Sequence, residues 1–398
     1  MDLLYLLYWS FAVFLAAVYA ISIAYLLAFR MGYSMKGKPK REQNTSEKLS
    51  VSVIVPIYNE DTNMIRETLD TLLNQKGIKI NLIAVMKHAR QGQVRMIKGY
   101  AKTLNSVEVI MQRGKPSHNE AFIIGLKRVK TEYTSILCSD AKIKGNYLVR
   151  MVAALHRTGK DAAFGLLYPE IKDTRASKFT AIDKVFRQTL TLKGRAALDL
   201  GCYIPGAFAV YRTNFLNKEL KPLMRNNFVM HDVGFMLKLY AGKENKMCFI
   251  PDVVGTELEK SSLTAWTLQY MRWMMGMAGL LPALKEIFSK ARNKIKVGTF
   301  GLMMIWKVLP ITLFLGLLLS IAGAFFYGPL FLEFYIIVYA ILTFILFTIS
   351  DVRAYGLLYC VLFWGVSQTV KAIATLASLY GFAFAKYREN KLYMLFKR

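Results

Sequence analysis

Cysteine is scarce in this chain of 398 residues: Cys138, Cys202, Cys248 and Cys360, with no C-x-x-C pair among them. That spacing argues against a disulfide framework and a zinc knuckle, and fits reduced thiols in a cytosol-facing domain. Acidic residues are also few: 26 Asp plus Glu stand against 53 Lys plus Arg, a formal net charge of +27. No basic nucleic-acid motif accompanies that charge, so no nucleic-acid partner is expected. The excess reads as positive-inside topology with attraction to anionic lipid, or as affinity for an anionic ligand such as a nucleotide phosphate. What is abundant is apolar. Hydrophobic residues make up 54% and aromatics 13%, which excludes whole-chain disorder and puts the surplus in a membrane or an unusually apolar interface.

Leu3 to Phe29 is an almost unbroken apolar run with no Lys or Arg before it. It is long enough to span a hydrocarbon core of ~30 Å and too long for a signal-peptide core. Arg30, Lys36, Lys38, Lys40, Arg41 and Lys48 follow, which places the N-terminus outside and residue 30 onward in the cytoplasm. Further apolar stretches are Phe300–Phe326, Leu330–Ile349 and Ala354–Ala385. The last is long for one span and short for two, and the basic tail after it argues for a cytoplasmic C-terminus. A re-entrant hairpin reconciles the two. Lys371 inside it reads either as a snorkelling residue or as a pore or acceptor contact. Ala278–Lys296 mixes Leu, Ile and Phe with five cations and reads as a surface amphipathic helix, or as a plain core helix. The expected organisation is a transmembrane helix over 1–30, a basic cytoplasmic linker over 31–49 and a soluble domain over 50–277. An interface helix over 278–297 follows, then a membrane block over 298–386 of about three spans, or two plus a hairpin, and a basic tail over 387–398.

Within 50–277, β-branched runs at Leu49–Pro56, Ile80–Met86, Val107–Met111 and Thr134–Cys138 alternate with helical patterns, one capped by Thr62 or Asn63 and one over Asn119–Val129. Such alternation predicts an α/β fold with a parallel sheet, with ligands beyond the carboxyl ends of the strands. Tyr58, Glu60, Met86, Lys87 and Asp140 fall at those ends.

Five short motifs then follow in order: Val53-Ile-Val-Pro-Ile-Tyr-Asn-Glu60, Arg113-Gly-Lys115 with Asn119-Glu120, Ser139-Asp-Ala-Lys142, Pro205-Gly-Ala207 with His231-Asp232, and Gln269-Tyr-Met-Arg-Trp273. Together they resemble the family-2 glycosyltransferases. The last is similar to the Gln-X-X-Arg-Trp of membrane members such as hyaluronan, chitin and cellulose synthases and ceramide glucosyltransferases. The resemblance implies a Rossmann-like GT-A domain, a mixed and mainly parallel sheet with helices on both faces, joined to transmembrane helices. It implies a hexosyltransferase using a nucleotide-diphosphate sugar, UDP first and GDP second.

The chemistry fits named positions. Asp232 stands where the family places its base, and the reading of an N-cap carboxylate stays open beside it. His231 replaces an acidic neighbour; it holds Asp232, binds metal, titrates near neutrality or is structural. Pro56, Tyr58, Glu60, Lys115, Asp140 and Lys142 are expected on the donor side. Tyr58 would stack on the base and Glu60 accept from it, or cap a turn. Gly206, His231, Gln269, Arg272 and Trp273 are expected on the acceptor and diphosphate side, Trp stacking on a sugar and Arg forking onto phosphate.

Two departures stand out. Lys142 occupies the place of the second Asp of an Asp-X-Asp; an Asp with a Lys chelates Mg2+ or Mn2+ poorly, which leaves Asp140 as the one candidate metal ligand and the Lys142 ammonium to stand in for part of the metal charge. Met86 and Lys87 cannot accept the base hydrogen bonds that an Asp would. The expected protein is a multi-pass cell-membrane enzyme with a cytoplasmic catalytic domain and a lipid or polysaccharide acceptor. The rival is an inactive relative that binds a nucleotide sugar or scaffolds a partner.

Overall fold

The computed structural model describes residues 49–58, 60–88, 90–113, 118–197, 204, 206, 208–224, 239, 246–278, 318–326 and 328–385, together with 6, 9, 10, 13, 24 and 27, which are helical. The strands are β1 (Ser50–Tyr58), β2 (Lys79–Lys87), β3 (Ser106–Met111), β4 (Tyr133–Leu137), β5 (Ala141–Ile143), β6 (Ala162–Glu170), β7 (Phe208–Arg212) and β8 (Met247–Leu258). They form one sheet in the order β3-β2-β1-β4-β7-β6-β8-β5. Pairing is parallel for β2–β3, β1–β2, β1–β4 and β6–β8, and antiparallel for β4–β7, β6–β7 and β5–β8. The four strands read from the sequence are present with ends moved by a residue or two, and the sheet is mixed, as the resemblance implies.

The longer helices among the described residues include α1 (Thr62–Leu73), α2 (Gln91–Gly99), α3 (His118–Leu126), α4 (Tyr147–Thr158), α5 (Arg175–Phe186), α6 (Thr213–Met224), α7 (Leu263–Ala278), α8 (Leu330–Thr348) and α9 (Leu357–Ala385). The cap of α1 is Asp61, not Thr62 or Asn63: its carboxylate accepts from the Asn63 N–H at 2.8 Å. A free carboxylate satisfies an orphan donor at a helix start and favours the positive end of the dipole. A seven-residue π segment, Arg187–Lys193, continues from α5.

The alternation of β1 divides the core. Ile54 faces one side with Ile83, Ile136 and the α3 residues Ala121 and Phe122. Val51, Val53 and Val55 face the other with Leu69 of α1, Ile97 of α2 and Met151 of α4. Both faces being covered, β1 reads as a continuous apolar run. Gly125 lets α3 approach closely, since a Cβ there would lie 2.6 Å from Ile54 Cγ2. A third cluster joins α5, α7, α8 and α9 through Ile182, Trp266, Tyr270, Leu346, Phe363 and Val370.

Among the described residues one helical stretch, Leu357–Ser378, is long and apolar enough to cross a membrane. It belongs to α9, which runs unbroken from Leu357 to Ala385. The re-entrant hairpin is therefore not formed there. The run Ala354–Ala385 has Gly356 ahead of α9, no proline, and inside α9 only the isolated Gly365 and Gly381, which a helix tolerates. Leu330–Ile349 forms α8, and Asp351 and Arg353 lie in a short helix between α8 and α9. The run Leu3–Phe29 and the segment Ala278–Lys296 fall almost wholly outside the described residues.

Candidate active site at the strand ends

Tyr58 and Lys87 end β1 and β2 and are register partners, so the two strands stop together. Pro56, expected to touch donor, is buried inside β1 beyond the last β1–β4 pair, Ile54 with Ile136. Its missing N–H falls where β4 no longer asks for one, a backbone reason for a proline at that place. Glu60 folds back so that its carboxylate accepts from the Tyr58 N–H. Burial pushes the Glu60 carboxyl up, with Asp140 adding repulsion, while the Tyr58 N–H and the Ser139 hydroxyl hold the charged form. Glu60 thus serves as a turn cap and lies in the same field as Asp140.

Asp140 follows β4 in a turn closed by the Ala141 N–H donating to the Cys138 carbonyl at 3.1 Å. The Thr68 hydroxyl of α1 donates to the Ser139 carbonyl at 2.7 Å and pins the loop. Burial pushes the Asp140 carboxyl up to about 6, and Glu257 pushes the same way against Lys260 and Lys184. Glu257 behaves oppositely. Burial would raise it, but the Lys184 ammonium 2.8 Å away holds it below the usual carboxylate range. Lys184 also meets Glu259 at 2.6 Å. Burial would lower the Lys184 ammonium, yet these two carboxylates hold it above its ordinary value.

Lys142 is already paired. Its ammonium is shared by Glu170 at 2.7 Å and Glu67 at 2.9 Å. The cations that chiefly lower the Asp140 carboxyl are Lys260 and Lys184, on other elements. The reason is sheet geometry: β5 pairs with β8, placing Lys142 beside Thr256 and within reach of the end of β6.

The Gln-X-X-Arg-Trp segment lies on α7, whose start is capped by the Ser262 hydroxyl accepting from the Ala265 N–H at 3.1 Å. Gln269 is half-buried, Arg272 exposed and Trp273 half-buried. The Arg272 guanidinium lowers the Cys138 thiol slightly, against the burial that pushes it well above its ordinary value. Trp273 instead packs with Tyr270, ring centroids 5.4 Å apart, and carries the Arg187 guanidinium 5.2 Å over its ring. Arg272 and Trp273 therefore work in different surroundings, and at least one face of the indole is already covered.

Residues 52–220 match the family model described as glycosyl transferase family 2. They are a family-2 glycosyltransferase domain. Glycosyltransferase GlyG of Streptococcus pneumoniae serotype 4 is 26% identical over 118 residues, 30% of this chain and 39% of that protein. The chain thus spans about two fifths of the length of that relative. Among solved structures, the mannosyltransferase PcManGT from Pyrobaculum calidifontis, in complex with GDP-Man and Mn2+, superposes with a TM-score of 0.51 at 15% identity, covering 96% of this chain and 99% of that one. That likeness speaks for the fold, a GT-A-like mixed sheet with helices.

Within the glycosyltransferase domain, Tyr58, Glu60 and Asp140 are brought to one strand-end region. Gly206 lies in a turn ahead of β7, after the buried Ile204. Lys115, His231 and Asp232 lie outside the described residues. Among the described residues no three His, Cys, Asp or Glu side chains gather to hold a metal ion. Asp140 offers one hard oxygen ligand. That suits Mg2+ or Mn2+, which bind through one or two carboxylates and complete their shell with water and substrate phosphates.

Some residues were missed from sequence. Lys184, Glu257 and Glu259 carry no local signature, because their partners lie 73 and 75 residues away. His88 had a signal, standing just after β2. It adopts φ 55 and packs edge-on to Tyr58 with centroids 5.6 Å apart. Positive φ in a non-glycine residue costs energy, and such strain clusters at ligand sites.

Proposed function

We propose that the chain is a membrane-bound inverting glycosyltransferase that moves a hexose from a nucleotide-diphosphate sugar, UDP-linked first and GDP-linked second, to a membrane-associated acceptor. The observation that carries this reading is the convergence of Tyr58, Glu60 and Asp140 at the carboxyl ends of β1 and β4 inside a family-2 domain. Open α/β sheets bind ligands at that edge. Tyr58 with His88 forms the side of a slot for the nucleobase, and Asp140 faces the sugar and diphosphate. A bound divalent ion would have Asp140 as its protein ligand and would supply positive charge to the departing diphosphate. Asp232 takes the proton of the acceptor hydroxyl. Arg272, exposed on α7, meets the diphosphate, with Gln269 beside it.

The acceptor is a lipid or a growing polysaccharide, and product size separates them. The apolar exposed side chains of α9, including Leu357, Leu358, Leu362 and Leu376, support lipid contact. With the run Leu3–Phe29 they support a cell-membrane location with the catalytic domain in the cytoplasm.

The test is nucleoside diphosphate release by the purified full chain in lipid, with total membrane lipid as acceptor supply. UDP- and GDP-sugars are offered singly, with and without chelator. Release is expected from the wild type, with a loss of roughly 100- to 10,000-fold in Asp232→Asn. Equal release by that variant overturns the base assignment. No release from any donor, with nucleotide binding retained, moves the chain to the non-catalytic reading.

A further inference from the structure

Asp183, on α5, is 1% exposed, and its two carboxylate oxygens point to two cations from different directions. Oδ1 accepts from the ammonium of Lys371 on α9, the helix that carries the candidate membrane span. Oδ2 lies 3.0 Å from Arg187 Nε, at the start of the π segment. The same Arg187 guanidinium sits on the Trp273 ring of α7, and the Lys371 ammonium lies 5.3 Å from the centroid of Tyr270 one helical turn away. The α9 helix repeats the contact lower down, where the Ser378 hydroxyl donates to the Met271 carbonyl at 3.1 Å. Ser367, Lys371, Thr375 and Ser378 are all buried and recur at helical spacing, so one polar face of α9 lies against the domain while Ile373 and Leu376 stay exposed.

This corrects both readings of Lys371, since its ammonium neither reaches for the membrane surface nor lines an open pore. It also poses a question of energy. Burying two opposite charges costs several kcal/mol per ion in desolvation, and apolar residues of similar size would often hold the helices as well. The pair is better explained by geometry, because one directed contact sets the register of α9 on α5.

We propose that Asp183 and Lys371 are positioning residues that couple the candidate membrane span to the Trp273 end of the Gln-X-X-Arg-Trp helix. Lys371 occupies one oxygen of Asp183, and the ion pair of the other with Arg187 holds that guanidinium over the Trp273 ring. The span and the acceptor-side motif are thereby held as one unit. In its kinetic part the inference rests on the glycosyl transfer proposed above. Its structural part does not.

The experiment uses the full chain in lipid vesicles with three readouts: apparent melting temperature, nucleoside diphosphate release as a function of total membrane lipid, and Trp273 emission isolated by subtracting matched Trp273→Phe protein. Arg187→Gln leaves the Asp183–Lys371 pair intact. It is expected to change Trp273 emission and to raise the apparent KM for the lipid fraction by roughly tenfold, with donor KM unchanged. Lys371→Met should do the same and also lower the melting temperature, and Lys371→Arg should restore all three readouts. The charge exchange Asp183→Lys with Lys371→Asp rebuilds the α5–α9 pair but sets a cation against Arg187. It should recover melting temperature without recovering emission or KM. Full recovery of all three by the exchange makes the pair a structural staple and overturns the proposal, as does wild-type emission and KM in Arg187→Gln. If no donor is ever turned over, the emission readout still decides the structural coupling while the failure falls on the proposed reaction.

Discussion

The strand half of the molecule and its helix layer bury polar groups in opposite ways. Around β1, β2 and β4 the buried polar residues are neutral, and those of β4 bond to β7 and the start of α6. The Thr134 and Thr213 hydroxyls meet at 2.8 Å, and the Ser135 hydroxyl donates to the Ala209 carbonyl at 3.2 Å. Where α5 meets β8 and α9, four ionised residues are buried instead: Asp183, Lys184, Glu259 and Lys371. Apolar burial at about 25 cal/mol per Å² stabilises the first half without demanding one geometry. Buried ion pairs contribute little net stability but tolerate few arrangements. The first region holds the fold, and the second fixes where α7 and α9 stand.

The largest expected effect sharpens that contrast. Lys184→Met strands Glu257 and Glu259 in a buried site, and removing one partner of a buried pair costs about 3–5 kcal/mol. Adding Glu257→Gln and Glu259→Gln should return most of the loss, as read by denaturant or thermal unfolding. Leu69→Ala, in the strand half, should cost about 2–5 kcal/mol, with no companion substitution of charge able to return it. Recovery in neither case would show that the helix layer is held by packing alone.

How far these regions can be read from sequence follows the same divide. β1 to β4, α1 and α3 are legible because their signals are local: β-branched runs, helical spacing and a polar cap within a few residues. The placement of Tyr58, Glu60 and Asp140 at strand ends is legible because parallel topology puts strand ends together. The Lys371–Asp183 contact is not, since 188 residues separate the partners and no periodicity encodes which cation a carboxylate meets. The covered face of Trp273 escapes for the same reason. A motif gives residue types at a spacing, whereas Arg187 comes from another helix.

A titration breaks the contrast at the point where both halves meet. Asp140 belongs to the strand ends, but Glu257, Lys184 and Lys260 set its proton affinity from the other side. Its folded value of about 6 lies above the unfolded value of about 3.9. Its contribution to stability is therefore fully present below about pH 3.9 and is lost as pH rises through about 6. Nucleoside diphosphate release should run the other way, with an acid limb near pH 6 below which the carboxylate is neutral. Glu257→Gln removes a repelling carboxylate and frees Lys184, so the limb should move to lower pH. Lys260→Met removes an attracting cation and should move it higher. A limb that both variants leave in place would assign it to a group other than Asp140.

The smallest effect is expected at Lys142. The side chains of its partners Glu67 and Glu170 are 58% and 37% exposed, and exposed pairs are worth about 0–1 kcal/mol. Lys142→Met should therefore change unfolding by no more than that, and should leave nucleoside diphosphate release within about twofold, because the ammonium is already spent on two carboxylates. Chelator should act equally on the wild type and on the variant. If Lys142 stood in for a metal, the variant alone would lose turnover in chelator and regain it with added Mn2+. That result would move the cation of the site from Lys184 and Lys260 back to β5.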